Sequence, residues 1–413
     1  MFERANCNVC SSPSLSELLN LGKHPLADTF LNYSKRNMPE TCYPLVLAEC
    51  DECGHVFTKF HVSPEERYIL NDYSYDSSNS PVAEKHFKEF AENIIQINTK
   101  LFGARKGLKA LDFGSNVGTL LSYLKKDVDV IGVEPSPNIS KIANENGIPS
   151  LCTLFNLGIV SDSQIAQSSI DIVLSTNVVN HMDDLAEMMR TIDEIGKEKV
   201  MFAFEVPYLV DLIKQNAFDT IYHEHVNYFS VKSISKLLSR YGFIVAHIQM
   251  IDYMGGSIRV YSVRKGQVDE GSLLNNSKEI ITNEADYFTA NPDWRNAFRE
   301  NVLQIKRDLL SFVLSACQSG KRICAIGAAT KGNTMLNYCH LDRDSILICC
   351  DVSKLKVGKF LPGSGIPIVH DDELGTDWDY GIVLPWNLSE YITEKFKSTG
   401  IELVFPIINI PKL

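Results

Sequence analysis

Ala110-Leu111-Asp112-Phe113-Gly114-Ser115-Asn116-Val117-Gly118-Thr119-Leu120-Leu121-Ser122-Tyr123 is the stretch on which the reading of this chain turns. Ala110, Leu111 and Phe113 make a short apolar strand, Gly114 to Gly118 a turn of small residues, and Leu120, Leu121 and Leu124 the apolar side of a helix. Small residues let a ligand approach the backbone, and the new helix aims its first N–H groups at whatever sits there. Val128 to Val133 reads as the next strand and ends in Glu134, an acceptor suited to both hydroxyls of a ribose. Strand, glycine turn, helix, strand, acid is the first half of a nucleotide-binding α/β fold. A ligand-free β–α turn would account for the glycines but not for the acid at this place.

The spacing is GxxxG, not the GxGxxG of dinucleotide enzymes. It resembles the loop of the S-adenosylmethionine (SAM) methyltransferases. That resemblance implies Asp112, Gly114, Asn116 and Gly118 around the methionine part of the cofactor and Glu134 on its ribose. It also implies SAM in place of NAD.

With 413 residues there is room for about three domains, each with its own core. A hydrophobic content of 45% suits a globular chain and excludes a disordered one. The net charge of −11 argues against a nucleic-acid surface, which needs clustered Lys and Arg. The first residues, MFERANCNVC, contain no apolar leader, and no apolar run approaches ~18 residues, so neither secretion nor membrane insertion is expected. Eleven cysteines, an odd number, then point to reduced thiols and metal ligands in the cytoplasm.

Two CxxC pairs, Cys7/Cys10 and Cys50/Cys53, supply the four thiolates of a closed tetrahedral zinc site within residues 1–70. A closed site leaves no open coordination position, so the zinc is expected to be structural. His24 and His55 are possible substitute ligands, and Cys42 reads as a buried thiol outside the pairs.

Residues 71–268 are expected to form the cofactor domain. They begin with a polar stretch, Asn71 to Ser80, that carries Tyr73 and Tyr75 and suits either a linker or a lid. Helical periodicity follows over Ala83 to Ile97. The strand Ile170 to Thr176 ends at Asn177-Val178-Val179-Asn180-His181, the carboxyl end where open α/β sheets place ligands. Later strands are expected over Val200–Val206, Phe243–Ile251 and Ile258–Val263. Between them lies Asp219-Thr220-Ile221-Tyr222-His223-Glu224-His225-Val226-Asn227-Tyr228, dense in titratable groups. Metal ligation by His223 and His225, a solvated edge and a catalytic segment are all open readings.

Residues 269–413 begin with an amphipathic helical stretch over 270–318. The central pattern then repeats. Ile323 to Ile326 is a strand, Gly327 to Thr334 a small-residue turn with Lys331, Asn333 and Thr334, and Ile346 to Cys350 a strand closing on Asp351. Such a turn suits an anion, with Lys331 as a point charge, or it belongs to a degenerate domain kept for packing.

Taken in order, the four-cysteine module, GSNVG, DTIYHEHVNYFS, GAATKGNTMLNYC and KFLPGSGIPI resemble the sugar C-methyltransferases that act on nucleotide-linked keto-deoxysugars. The resemblance spans nearly the whole chain. It implies a class I methyltransferase (Rossmann-like) domain flanked by a small N-terminal zinc-binding domain and a second, C-terminal Rossmann-like α/β domain. By that resemblance, His225 and Glu224 match the family's active-site histidine and preceding glutamate, and Tyr222 and Tyr75 its tyrosines. His181 and Asn177 match a second pocket segment, with Asn177 also near the cofactor. The Lys331, Asn333, Thr334 turn is expected to hold the nucleotide sugar. One departure is that the family's loop usually carries Asn-Asp where this chain has Asn116-Val117.

The chemistry asks for these residue types. A ketone acidifies its neighbouring C–H, and the resulting enolate attacks the methyl of SAM. That requires a base titrating near ambient pH and a donor to the enolate oxygen. The expectation is a SAM-dependent C-methyltransferase acting at C3 of an NDP-linked 4-keto-6-deoxysugar, as a monomer or weak homodimer. C5 methylation and an NAD-dependent nucleotide-sugar oxidoreductase are the alternatives.

Overall fold

The computed structural model describes residues 1–69, 81–162, 164–268 and 276–411. Tyr73 and Tyr75, with the whole stretch read as linker or lid, lie outside the described residues. Three larger sheets organise the rest.

The central sheet has seven strands in the order Phe243–Ile251, Ser257–Arg264, Gly196–Pro207, Ile170–Thr176, Lys109–Phe113, Asp129–Val133, Ser150–Leu151. All pairings are parallel except those of Ser257–Arg264, which runs antiparallel to both neighbours. The inner strands Lys109–Phe113, Ile170–Thr176 and Gly196–Pro207 are buried on both faces over most of their length, which is why they read as near-continuous apolar runs. Leu111 and Phe113 face one side with Val173 and Phe202, while Ala110 faces the other with Ile172, Met201 and the helix Pro81–Phe102 through Phe90 and Ile94. This is the class I methyltransferase sheet, and its carboxyl ends gather Asp112, Glu134 and Asn177 in one place.

The C-terminal sheet is fully parallel, in the order Ile368–His370, Cys349–Asp351, Ile323–Ile326, Tyr380–Val383, Glu402–Val404. The stretch expected to be helical over 270–318 is two helices, Ser277–Ala290 and Trp294–Gln318. Pro292 lies between them, where it has no N–H to continue the ladder.

The N-terminal sheet orders Asn227–Tyr228, Val56–Thr58, Tyr43–Cys50, Leu15–His24. Its first strand comes from the segment that carries Tyr222, Glu224 and His225. Asn227 pairs with Phe57 and Tyr228 with Val56, so the cysteine-bearing module and the titratable segment share one sheet. Cys42 is exposed, against the expectation of a buried thiol, because it precedes the strand instead of lying within it. No helix among the described residues is long and apolar enough to cross a membrane.

Candidate active site

The sulfurs of Cys7, Cys10, Cys50 and Cys53 lie within 4.8 Å of one another. Cys7 Sγ and Cys53 Sγ are 3.7 Å apart, and Cys10 Sγ and Cys50 Sγ 3.4 Å. A tetrahedron with ~2.3 Å metal–sulfur bonds has edges of ~3.8 Å, so the four thiols fit zinc. The two candidate substitutes are engaged elsewhere: His24 Nε2 with the Leu21 carbonyl (2.8 Å) and His55 Nε2 with Asn227 Oδ1 (3.2 Å).

A cleft of about 590 Å³ runs from the glycine turn of the central sheet to the glycine turn of the C-terminal sheet. Gly114 and Gly118 hold φ of +66° and +84°. At Gly114 a Cβ would stand 2.3 Å from Val178 Cγ2, so its absence lets the end of the neighbouring strand close on the turn. Glu134 accepts N–H bonds from Asn116 (3.1 Å) on Oε2 and from Ser136 (2.9 Å) on Oε1. Each oxygen keeps a lone pair for a ribose hydroxyl.

Burial, with the nearby charge of Glu134 adding to it, pushes the Asp112 carboxyl up to about 8. Asp112 Oδ1, Ser115 Oγ, Thr176 Oγ1 and Asn177 Oδ1 are buried without a partner among the described residues, and all four residues line the cleft. Buried polar atoms are normally bonded, so this cluster fits a polar, cationic ligand such as SAM.

The segment Tyr222 to His225 is a turn, closed by the His225 N–H on the Tyr222 carbonyl (3.0 Å), and not an extended run. The turn sends Tyr222, Glu224 and His225 into the cleft. His223 leaves it and packs edge-on against Tyr43, ring centroids 5.8 Å apart. His225 Nδ1 lies 2.8 Å from the Thr220 carbonyl, which can only accept, so Nδ1 carries the proton and Nε2 is the acceptor. That nitrogen takes the Tyr222 hydroxyl at 2.7 Å. Burial pushes the imidazole down to about 4, below the expected range near ambient pH, so it is neutral at neutral pH with Nε2 free to accept a proton but a weaker base than expected.

Glu224 does not orient the ring, since a backbone carbonyl does so. Its carboxyl is pushed up to about 7 by burial, with the Asp28 charge adding to it, and its Oε2 is buried without a partner among the described residues. His181 stands edge-on to His225, centroids 4.9 Å apart, with Nδ1 2.8 Å from the Tyr68 hydroxyl.

At the far end the cleft is lined by Gly327, Ala329, Thr330 and Lys331. Lys331 bonds Asn387 Oδ1 and lies 4.3 Å from the Trp386 ring centre. Burial lowers its ammonium to about 8, opposed by the charge of Asp219. Asn333 and Thr334, expected beside the substrate, do not line the cleft. Asn333 donates to the Ala27 carbonyl (2.7 Å) and Thr334 to that of Ile221 (2.9 Å), so both fasten the C-terminal domain to its neighbours.

Asp28, Arg67, Tyr68, Asp351 and Lys356 also line the cleft, and none was singled out as a site residue from the sequence. A signal existed for Asp351 alone, as the acid that closes the second strand of the repeated pattern. It accepts N–H bonds from the turn at Ala328 and from Ser353, both 2.7 Å, as Glu134 does from Asn116 and Ser136.

Three family models match in succession: "Putative zinc binding domain" over residues 7–68, "Methyltransferase domain" over 83–248 and "C-methyltransferase C-terminal domain" over 252–408. The chain is a methyltransferase, built from these three domains in succession. A curated relative, C-methyltransferase NovU from Streptomyces niveus, is 27% identical over 97% of this chain and 95% of its own length. Among solved structures, magnesium protoporphyrin IX methyltransferase from Synechocystis with bound SAM is 14% identical over 44% of this chain and 79% of that one, TM-score 0.33. A SAM-dependent methyltransferase from Mesorhizobium loti is also 14% identical, over 41% and 96%, TM-score 0.32.

The methyltransferase-domain match makes SAM the methyl donor, with an electrophilic methyl on a sulfonium, and the zinc-binding match falls on the four clustered cysteines of a structural zinc site. A cation beside Asp112 favours the ionised carboxylate. Binding of SAM below pH ~8 is therefore expected to release a proton, with affinity rising by up to ~10-fold per pH unit toward pH 8 and then levelling. Calorimetry in buffers of different ionisation heat reads the release, and Asp112→Asn should flatten the rise. Equal affinity across this range in the unaltered protein would remove Asp112 from the cofactor site.

Proposed function

We propose that this C-methyltransferase adds a methyl branch at C3 of an NDP-linked 4-keto-6-deoxysugar, in the cytoplasm. The observation that carries the reading is the single cleft with a glycine turn at each end and the Tyr222–His225 pair between them. The end with Asp112 and Glu134 suits SAM. The end with Lys331 and Asp351 suits a nucleoside diphosphate, through a cation for phosphate oxygens and an acid for a ribose hydroxyl. The sugar then spans the middle.

There the C3–H proton leaves to His225 Nε2, directly or through the Tyr222 hydroxyl, and the electron pair of that bond passes to the C4 oxygen as an enolate. A neighbouring hydrogen-bond donor holds the oxygen while C3 attacks the methyl, whose bond to sulfur breaks to leave a neutral thioether. Glu224, with an unbonded oxygen, suits a sugar hydroxyl. Methylation at C5 needs the same enolate formed on the other side of the ketone. Products formed from a panel of NDP-4-keto sugars, read by mass spectrometry and NMR, test this reading. Turnover of none of them would end it, and a methyl on C5 would move the site of reaction.

Lys331→Ala is expected to raise KM for the nucleotide sugar more than it lowers kcat, as befits lost binding common to ground and transition states. The reverse pattern in steady-state kinetics would bring this lysine into the chemistry.

A further inference from the structure

Behind the anion end of the cleft stands a buried carboxylate. Asp219 lies on the short turn Phe218–Thr220, has no exposed surface and does not line the cleft. Its Oδ2 accepts a hydrogen bond at 2.7 Å from Trp386 Nε1, just beyond the strand Tyr380–Val383 of the C-terminal sheet. Its Oδ1 has no hydrogen-bond partner among the described residues.

The indole links this carboxylate to Lys331. Asp219 bonds the edge of the ring, and Lys331 Nζ lies over its face, 4.3 Å from the centre. On a further side Gly255 comes so close that a Cβ there would stand 3.0 Å from Trp386 Cη2. The next residue, Asn387, takes the Lys331 ammonium on Oδ1. Asp219 therefore fastens the short turn Trp386–Leu388 against which Lys331 rests. It is also the charge that opposes the effect of burial on the ammonium, and Lys331 does the same for the carboxylate. The other charged residues at this end are engaged nearby: Asp28 with Thr330 (2.8 Å), and Asp351 and Lys356 with the N–H and carbonyl of Ala328. Removing one member of a buried charge pair leaves the other uncompensated.

We propose that Asp219 is a positioning residue of the anion site: it anchors Trp386 and supplies the counter-charge that holds Lys331 as an ammonium over the indole, placed for the diphosphate of a nucleotide sugar. The inference rests on the nucleotide-sugar reading for the ligand it names. The link between the two charges does not. Affinity for an anion then falls as pH rises through about 8, where Lys331 loses its proton. Without the charge of Asp219 the same fall comes at lower pH, because nothing else at hand offsets the burial of the ammonium.

The test has two arms. Calorimetry with uridine, thymidine and guanosine diphosphates, from pH ~6.5 to ~9.5, compares the unaltered protein with Asp219→Asn, which keeps an acceptor for Trp386 Nε1 but carries no charge. The variant should lose affinity from a lower pH, be weaker by ~10-fold or more at pH ~8, and bind SAM normally. Weakening by one factor at every pH is the mark of a merely structural role and overturns the proposal, as does an unchanged profile. In ligand-free protein, NMR titration of Lys331, assigned through Lys331→Gln, should move to lower pH in Asp219→Asn. Conversely, the Asp219 carboxyl should titrate at higher pH in Lys331→Gln, which decides the matter where Asp219→Asn does not fold. Either titration left unmoved breaks the link. If none of the three diphosphates binds the unaltered protein, the anion-site role falls with the nucleotide-sugar reading, and the titrations decide the charge link separately.

Discussion

His225→Ala is expected to lower kcat by a factor of ~10²–10⁴, the usual worth of a positioned base, with SAM affinity left close to normal. The separation of effects follows from the cleft. His225 lies in the turn Tyr222–His225, whereas the cofactor end is built from the strand ends at Asp112, Glu134 and Asn177. Exchange of the sugar C–H with deuterated solvent, followed by NMR without SAM, isolates the proton step. Exchange at the normal rate in His225→Ala would dismiss this histidine. Glu224 is then the next group to test, because its carboxyl, pushed up to about 7, already sits in the range for proton transfer. His223 does not compete for this role, since it packs on Tyr43 outside the cleft.

The second large effect is expected from the metal. Cys50→Ala, or removal of zinc by a strong chelator, should cost the fold of the N-terminal module, and with it most of the activity. The thiols do not line the cleft, so this loss is indirect. It travels through Asn227, which accepts from Asn8 inside the first cysteine pair and from His55 just after the second. The same amide donates to the carbonyl of Met182 (2.8 Å), next to His181. Metal analysis should find one zinc per chain, and thermal unfolding should show the module melting early without it. A zinc-free protein with unchanged melting and kcat would refute both the site and the linkage.

How much of this was legible in the sequence differs element by element. The glycine turn, Glu134 and the two CxxC pairs are local patterns, in which a few residues at fixed spacing carry the chemistry, and the structure brings the members of each together. The turn at Tyr222 to His225 is a harder case, because alternation of side chains is meaningful only in an extended segment. Closure of the turn is what separates His223 from His225. Asn333 and Thr334 sit in a motif that points to a ligand, yet their side chains meet the carbonyls of Ala27 and Ile221, partners that no local pattern can name. Arg67 and Tyr68 are the clearest losses. They lie in the part of the chain read as a metal module, and their neighbours Asp183 and His181 are more than a hundred residues away.

The pairing of Asn227–Tyr228 with Val56–Thr58 has a consequence for how the molecule is made. His55 and Asn227 are 172 residues apart in the chain. At roughly 5–20 residues per second of synthesis, the four thiols emerge some ~10–30 s before the strand that completes their sheet. During that interval the backbone groups of Val56–Thr58 that later pair with it form an open edge, free to recruit another chain. Metal capture by the nascent module would hold this edge in one register until its partner arrives, so the abundance of zinc during translation bears on yield as well as on the finished enzyme.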